Sequence, residues 1–288
     1  MRTRLILSLL VAVLMLMATL MCLAQSPSSN PPDNGLPTTG APQTSSIDEQ
    51  NDEVQTLREE QADEDQTYFR SRTTFKYEHK FVPGGVSKDI FKSFTLYGFG
   101  RSQRWAITAE MPYLVHITTP TESTNGVGDA EFKFGRLIHK TSTFRQGIGA
   151  QLNVQTASDP AIGGSATVIK ALYANSLVVG TKWILDFSCN YAHSVHLSEG
   201  AGTVSRVEPE GNMSRLFPWF AFYLHFDNYY DFPVSTWGNT IKGGLSRTVG
   251  KRKVWNVSVF DEYALNDYAR AGFRNDMGIN ITRFFGPE

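Results

Sequence analysis

Trp105-Ala106-Ile107-Thr108-Ala109-Glu110-Met111-Pro112-Tyr113-Leu114-Val115-His116 is the stretch on which the fold turns. Trp105, Ile107, Ala109, Met111, Tyr113 and Val115 fall at every second position, with Ala106, Thr108, Glu110, Pro112 and His116 between them. That is the period of a β-strand with one apolar and one polar face. Globular strands average about 5–6 residues, whereas a tilted strand needs about 9–11 to cross a bilayer. Trp105 and Tyr113 bracket this run, and Trp183 and Tyr191 bracket another at the same spacing. Each pair spans about 20 Å of membrane normal, the height of an apolar band with aromatic girdles at its rims.

The same period recurs through the rest of the chain. Phe69, Thr73, Phe75, Tyr77 and Phe81 oppose Arg70, Arg72, Thr74, Lys76, Glu78 and Lys80. Val179, Trp183, Leu185, Phe187, Cys189 and Tyr191 oppose Lys182, Asp186, Ser188 and Asn190, and Phe144, Ile148, Ala150, Leu152 and Val154 oppose Arg145, Gly147, Gly149, Gln151 and Asn153. Segments near 67–82, 88–98, 104–117, 129–139, 144–155, 165–175, 178–194, 212–226, 239–248, 252–263 and 270–284 read as strands, with one more expected within 212–240. Short turns are expected at 98–100 and 139–143, and long polar loops at 118–128, 155–165 and 194–211. Bacterial barrels close on an even count. The predicted fold is all-β: an antiparallel transmembrane β-barrel of about 12 strands behind a disordered acidic N-terminal extension. A soluble β-sandwich carries the same alternation, with its apolar faces turned inward.

Composition narrows the classes. The chain has 288 residues, a net charge of −1 and a mean hydropathy of −0.25, too low for a bundle of membrane helices. Two cysteines exclude a disulfide scaffold, and near-neutral charge argues against nucleic acid as a partner. The neutral total hides an asymmetry, because residues up to Gln66 carry ten acids against three bases, which leaves a net of +6 beyond that point.

Residues 1–24 read as a signal peptide, with Arg2 and Arg4 before the apolar run from Leu5 to Leu20 and cleavage after Ala24. Residues 25–66 read as a disordered linker, Pro/Ser-rich and then acidic, with at most a frayed helix around Val54 and Leu57. Residues 67–288 are expected to form the barrel, which would place the protein in a Gram-negative-type outer membrane. Its expected partners are outer-membrane lipid, the barrel-insertion machinery and a small-molecule solute. Phe284-Phe285 stands three residues before the chain's last residue, Glu288, which displaces the usual terminal aromatic of such proteins.

Trp105-to-Tyr113, followed by Asn125-Gly126-Val127-Gly128-Asp129-Ala130-Glu131-Phe132-Lys133-Phe134 and preceded by Leu96-Tyr97-Gly98-Phe99, resembles the meta-pathway phenol-degradation-like outer-membrane proteins. The resemblance covers about 40 residues. It implies a barrel suspected of taking up small molecules, aromatic or otherwise apolar ones among them, and it defines no catalytic residue. Pro112, Gly126, Gly128 and Asp129 match its motif. Glycines there permit φ > 0 where a loop re-enters a strand, and Asp129 is placed to hydrogen-bond the local backbone.

No Gly-x-Ser-x-Gly, phosphate loop or His-Glu-x-x-His occurs, so no catalysis, metal or cofactor is expected. The polar strand faces carry the functional expectation. Arg70, Arg72, Lys76, Lys80, Lys133, Arg145 and Lys182 should line the lumen beside Glu78, Glu110, Glu131 and Asp186. Charges enclosed this way must pair or border an aqueous path. The reading is a channel or transporter for small molecules; a non-conducting structural or adhesive barrel and a secreted soluble sandwich are the alternatives. The acidic 48–65 segment is further expected to dock at the basic lumen or its mouth as a tethered gate.

Overall fold

The computed structural model describes residues 55–56, 58–59, 65–110, 114–159, 162–199, 201–250 and 254–285. The expected signal peptide, most of the linker, Met111, Pro112 and Tyr113 lie outside them.

Fourteen strands run in chain order: β1 (Arg72–Val82), β2 (Val86–Phe99), β3 (Trp105–Glu110), β4 (Leu114–Thr118), β5 (Ser123–Val127), β6 (Ala130–Lys140) and β7 (Phe144–Val154), then β8 (Ala166–Val179), β9 (Trp183–Leu197), β10 (Ser205–Leu216), β11 (Ala221–Asp231), β12 (Thr236–Val249), β13 (Trp255–Ala264) and β14 (Asn275–Phe284). One short helix, α1 (Asp267–Arg270), sits in the loop before β14. Both β3 and β4 pair with β2, and β6 and β5 pair with them in turn, so each couple is one broken stave. The result is 12 antiparallel staves. β1 pairs with β2 on one side and with β14 on the other, so the sheet closes on itself. Closure leaves only the short β5 paired on one side, with β4, and excludes the two-layered sandwich.

The alternation explains which face is which. On β1, Phe75 is 57% exposed on the outside, whereas Thr74 is fully buried and meets the Thr282 hydroxyl of β14 at 2.7 Å inside. Phe91, Tyr97, Ile107, Ile148, Val259 and Ile281 are exposed along the outer face, while Asp186, Ser188, Asn190, Asn212 and Asn280 are buried within. A polar interior under an apolar exterior inverts the soluble arrangement and is the pattern of a membrane barrel. The unbroken staves hold 10 to 15 residues, enough to cross. The wide interior is relieved by inward rings lying across glycines on the next strand. Tyr223 faces Gly244, Tyr229 faces Gly238, and Phe260 faces Gly278 as direct cross-strand partners. A Cβ at any of these three glycines would overlap the ring.

Three expectations are corrected. The single apolar face from Trp105 to Val115 is two half-faces: Ile107 is exposed outside, but Val115 is buried with Ile90 and Ile117. The parity therefore changes between β3 and β4, whose registers on β2 (Glu110 with Phe94, Leu114 with Phe91) differ by one residue. The predicted strand 212–226 is interrupted by a turn at Phe217-Pro218-Trp219-Phe220, and β10 and β11 extend to either side of it. Residues 118–128 and 194–211 are mostly strand instead of loop. Their polar residues alternate too, because Arg206, Glu208 and Glu210 face the lumen and Val207 and Pro209 face out.

The chain enters and leaves β-structure at one rim, where the Phe285 amide donates to the Ser71 carbonyl at 2.9 Å. The turns 100–104, 141–143, 180–182 and 217–220 share this rim, as do the end of β12 and the start of β13; the end of β7, the start of β8 and the loop bearing α1 lie at the other.

Candidate functional site

The inner walls bring together ten of the eleven expected lumen residues. Arg70, Arg72, Lys76, Glu78, Lys80, Glu110, Glu131, Lys133, Arg145 and Asp186 all face inward. Lys182 does not, because it lies exposed in the rim turn 180–182, one residue short of β9. The period was read through a turn that the strand does not enter.

The charges form two arcs. On the β1–β2–β3 wall, Glu78 lies 2.6 Å from Lys76, 3.7 Å from Lys80 and 3.9 Å from Lys92, while Lys80 also reaches Asp276 at 3.1 Å and Lys92 reaches Glu110 at 3.8 Å. Lys133 pairs with Glu131 at 2.8 Å next to it. Across the lumen, Lys170 and Arg206 converge on Glu208 at 2.7 and 2.6 Å. Ser188 and Asn190 donate to Glu210 at 2.9 and 3.1 Å. Paired and hydrogen-bonded charges of this kind stand in a low-dielectric wall at small net cost, and a lone one does not. Lys92, Lys170, Glu208, Glu210, Asp227 and Lys242 were not expected; Glu208 and Glu210 were hidden in a presumed loop, although their period of two with Arg206 marks them.

Between the arcs lies a cavity of about 420 Å³, bordered by Glu110, Glu131, Lys133, Lys170, Glu210, Asp227 and Lys242, with Phe94, Leu96 and Leu172 among them. Asp65, Gln66 and Phe69 close it on the turn side.

These three belong to a segment that precedes β1 and packs inside the barrel. Among the described residues of the acidic stretch, Gln55, Thr56, Arg58 and Glu59 are helical. Arg58 is fully buried and donates from Nη1 to Asp65 and to Ser176 of β8, both at 3.0 Å. Glu59 pairs with Arg70, and Gln66 donates to Glu210 at 3.0 Å. Asp65 accepts from the Thr67 amide at 2.8 Å. Tyr68 packs edge-on against Phe284, with the Arg145 guanidinium 5.4 Å over its ring, and receives the Gln55 side chain at 3.0 Å. Burial, with the Glu59 charge beside it, pushes the Tyr68 phenol above its ordinary range. Phe69 fills a niche made by Leu96, Ala106 and Leu137, floored by Gly98 and Gly135.

The motif residues act at the opposite mouth. Asp129 accepts from the amides of Thr156 and Ala157, each at 2.9 Å, and from that of Gly164. Its carboxylate thus gathers a connection 27 to 35 residues away, not the local backbone that was expected. Gly126 has no positive φ either; a Cβ there would strike Ile162, which the same connection delivers onto Ile90, Val115 and Ile117. Gly128 is buried beside it and likewise lacks a positive φ. Pro112 lies outside the described residues.

No family model and no curated protein matches the sequence. Solved structures do match the fold. An outer membrane channel from Pseudomonas putida F1 aligns with a TM-score of 0.60 at 10% identity, covering 75% of this chain and 95% of that one. The NanC porin aligns with a TM-score of 0.53 at 10% identity, covering 75% and 100%. The fold is that of an outer-membrane β-barrel channel. At such identity the likeness is one of fold alone, and the site must be argued from its own residues.

Proposed function

We propose that the protein is an outer-membrane channel or transporter for small molecules, with part of its N-terminal segment packed inside the lumen. One observation carries the reading: a charged and partly apolar cavity of about 420 Å³ inside a barrel whose exterior is apolar. Its lining supports a solute with both a polar group, met by the Lys133 and Glu131 pair or by Lys170, and a flat or apolar part, met by Phe94, Leu96 and Leu172. The resemblance of the Trp105–Phe134 stretch to the phenol-degradation-like family supports an aromatic cargo. Lumenal rows of paired charge are a common means of selection in such pores.

The docked segment supports a gating role for the acidic extension, since Arg58, Glu59 and Asp65 are buried at the turn-side end. The test is solute flux into liposomes, with small aromatic acids and sugars compared, for the full chain and for a chain lacking residues 25–66. Flux that rises on deletion supports the channel. A second reading, a non-conducting structural barrel, is favoured by the segment packed at one end and by the three lysines, Lys76, Lys80 and Lys92, within 3.9 Å of Glu78. It predicts that neither form passes any solute.

A further inference from the structure

Four of the five tryptophans stand at the turn-side rim, and each carries an arginine on its ring. Arg136 lies 4.8 Å from the Trp105 centroid, Arg215 5.0 Å from Trp183, Arg283 5.4 Å from Trp255, and Arg247 6.0 Å from Trp219. Three of the couples are direct cross-strand partners: Trp105 with Arg136, Trp183 with Arg215, and Trp255 with Arg283. All four arginines are exposed on the outer face. Among the described residues, none of them pairs with a carboxylate. The outer face near the opposite rim is of the other kind. There Asp89 accepts from the Tyr77 hydroxyl and meets the His79 ring, at 2.6 and 2.7 Å, and Asp261 accepts from Tyr263 at 2.6 Å.

We propose that the four Trp–Arg couples form a phosphate-binding collar for the headgroups of anionic phospholipid in the leaflet on the turn side. The inference rests on the membrane reading above and adds a lipid partner to it. A tryptophan ring settles at the boundary of hydrocarbon and headgroup, because its body is apolar and its N–H is not. An arginine stacked on that ring is held at the same depth, just beyond exposed Ile107, Phe134, Leu245 and Ile281. Its planar fork matches two phosphate oxygens, so it is fixed in place before lipid arrives. Charge complementarity selects the occupant. The cationic collar fits an anionic headgroup layer, and the carboxylates of the other rim would repel one.

The full-length protein in phosphatidylcholine vesicles is tested with spin-labelled phosphatidylglycerol or phosphatidylcholine, and the motionally restricted fraction of each probe is compared. The expected result is a selection for phosphatidylglycerol of about five-fold, the factor that one basic residue near an anionic surface supplies. Selection should fall to about one when Arg136, Arg215, Arg247 and Arg283 are all changed to Gln, and should persist in part when all become Lys. No selection in the natural protein, or the same selection in the Gln form, overturns the proposal. Loss of selection with added inorganic phosphate, but not with chloride at equal ionic strength, identifies a free-anion site and overturns the assignment to lipid. Should the fourfold variant not fold, Arg136→Gln and Arg283→Gln singly are each expected to lower selection part-way. Heat-dependent gel mobility reports barrel folding and retention with washed vesicles reports insertion, so failure of the membrane reading is distinguishable from failure of the collar.

Discussion

Phe69 sits so close over Gly98 that a Cβ on Gly98 would overlap the Phe69 carbonyl oxygen, and the Phe69 ring lies 2.9 Å from where a Cβ on Gly135 would be. Two strands thus omit side chains where the N-terminal segment lodges. The niche and its occupant were shaped together, and the occupant is not a bystander in the lumen.

Gly98→Ala is expected to dislodge Phe69, because the obstructing atom is backbone and cannot swing away. The barrel should still fold, since overpacking costs about 1–3 kcal/mol against a closed ladder. Single-channel conductance in planar bilayers should rise relative to the natural protein. Unchanged conductance with unchanged protease resistance at Arg58 would show that the niche does not hold the segment.

Arg58→Ala leaves Asp65 buried without its 3.0 Å partner. Breaking one side of such a pair costs about 3–5 kcal/mol, more than removing both partners. The segment should therefore detach in Arg58→Ala and return partly in Arg58→Met combined with Asp65→Leu. Trypsin cleavage near residues 58–72, followed by mass spectrometry, reads the order. A double variant more open than the single one would contradict it.

Alkaline pH should open the same end. The Tyr68 phenol is held above its ordinary value of 10.0 first by burial and then by Glu59, so the folded state keeps a proton that the undocked state releases. The docking contribution is complete below about pH 10 and is lost as pH rises beyond it. Conductance should increase in that window, and Tyr68→Phe should remove the increase. A Phe variant with the same alkaline rise would assign it to another group.

Asp129→Asn removes the charge from three amide hydrogen bonds that fasten residues 156–164. Charge-assisted bonds contribute on the order of 1.5–3 kcal/mol each, and an amide side chain retains part of that. The connection should loosen while the barrel stays closed. A spin label at Ser158 is expected to gain mobility, with no change in heat-dependent migration. A label as immobile as in the natural protein would mean that Ile162 packing alone suffices.

Much of this was legible in the order of residues, because a membrane barrel writes its two environments into alternate positions. Arg72, Lys76, Glu78 and Lys80 alternate with Phe75, Tyr77 and Phe81, and that alternation, joined to strand lengths that favour a barrel, placed them inside. Lys182 failed because a period of two does not mark where a strand begins, and Val115 failed because the registers of β3 and β4 on β2 differ by one residue, which resets the parity. The niche under Phe69 was beyond reach. Gly98 and Gly135 are 37 positions apart, and only the pairing of β2 with β3 and of β3 with β6 brings them to one place. Asp129 stood out in the sequence, but its hydrogen-bond partners lie on a loop whose path no local pattern encodes.

Both ends of the β-structure meet at the rim where Phe285 touches Ser71, and the described residues 65–71, which pack inside the bore, continue directly into β1 there. It is seated like the flap of a check valve. A stop so placed is expected to yield more readily to solute driven from the far mouth than to solute driven from its own side, which asymmetric current in a planar bilayer would show.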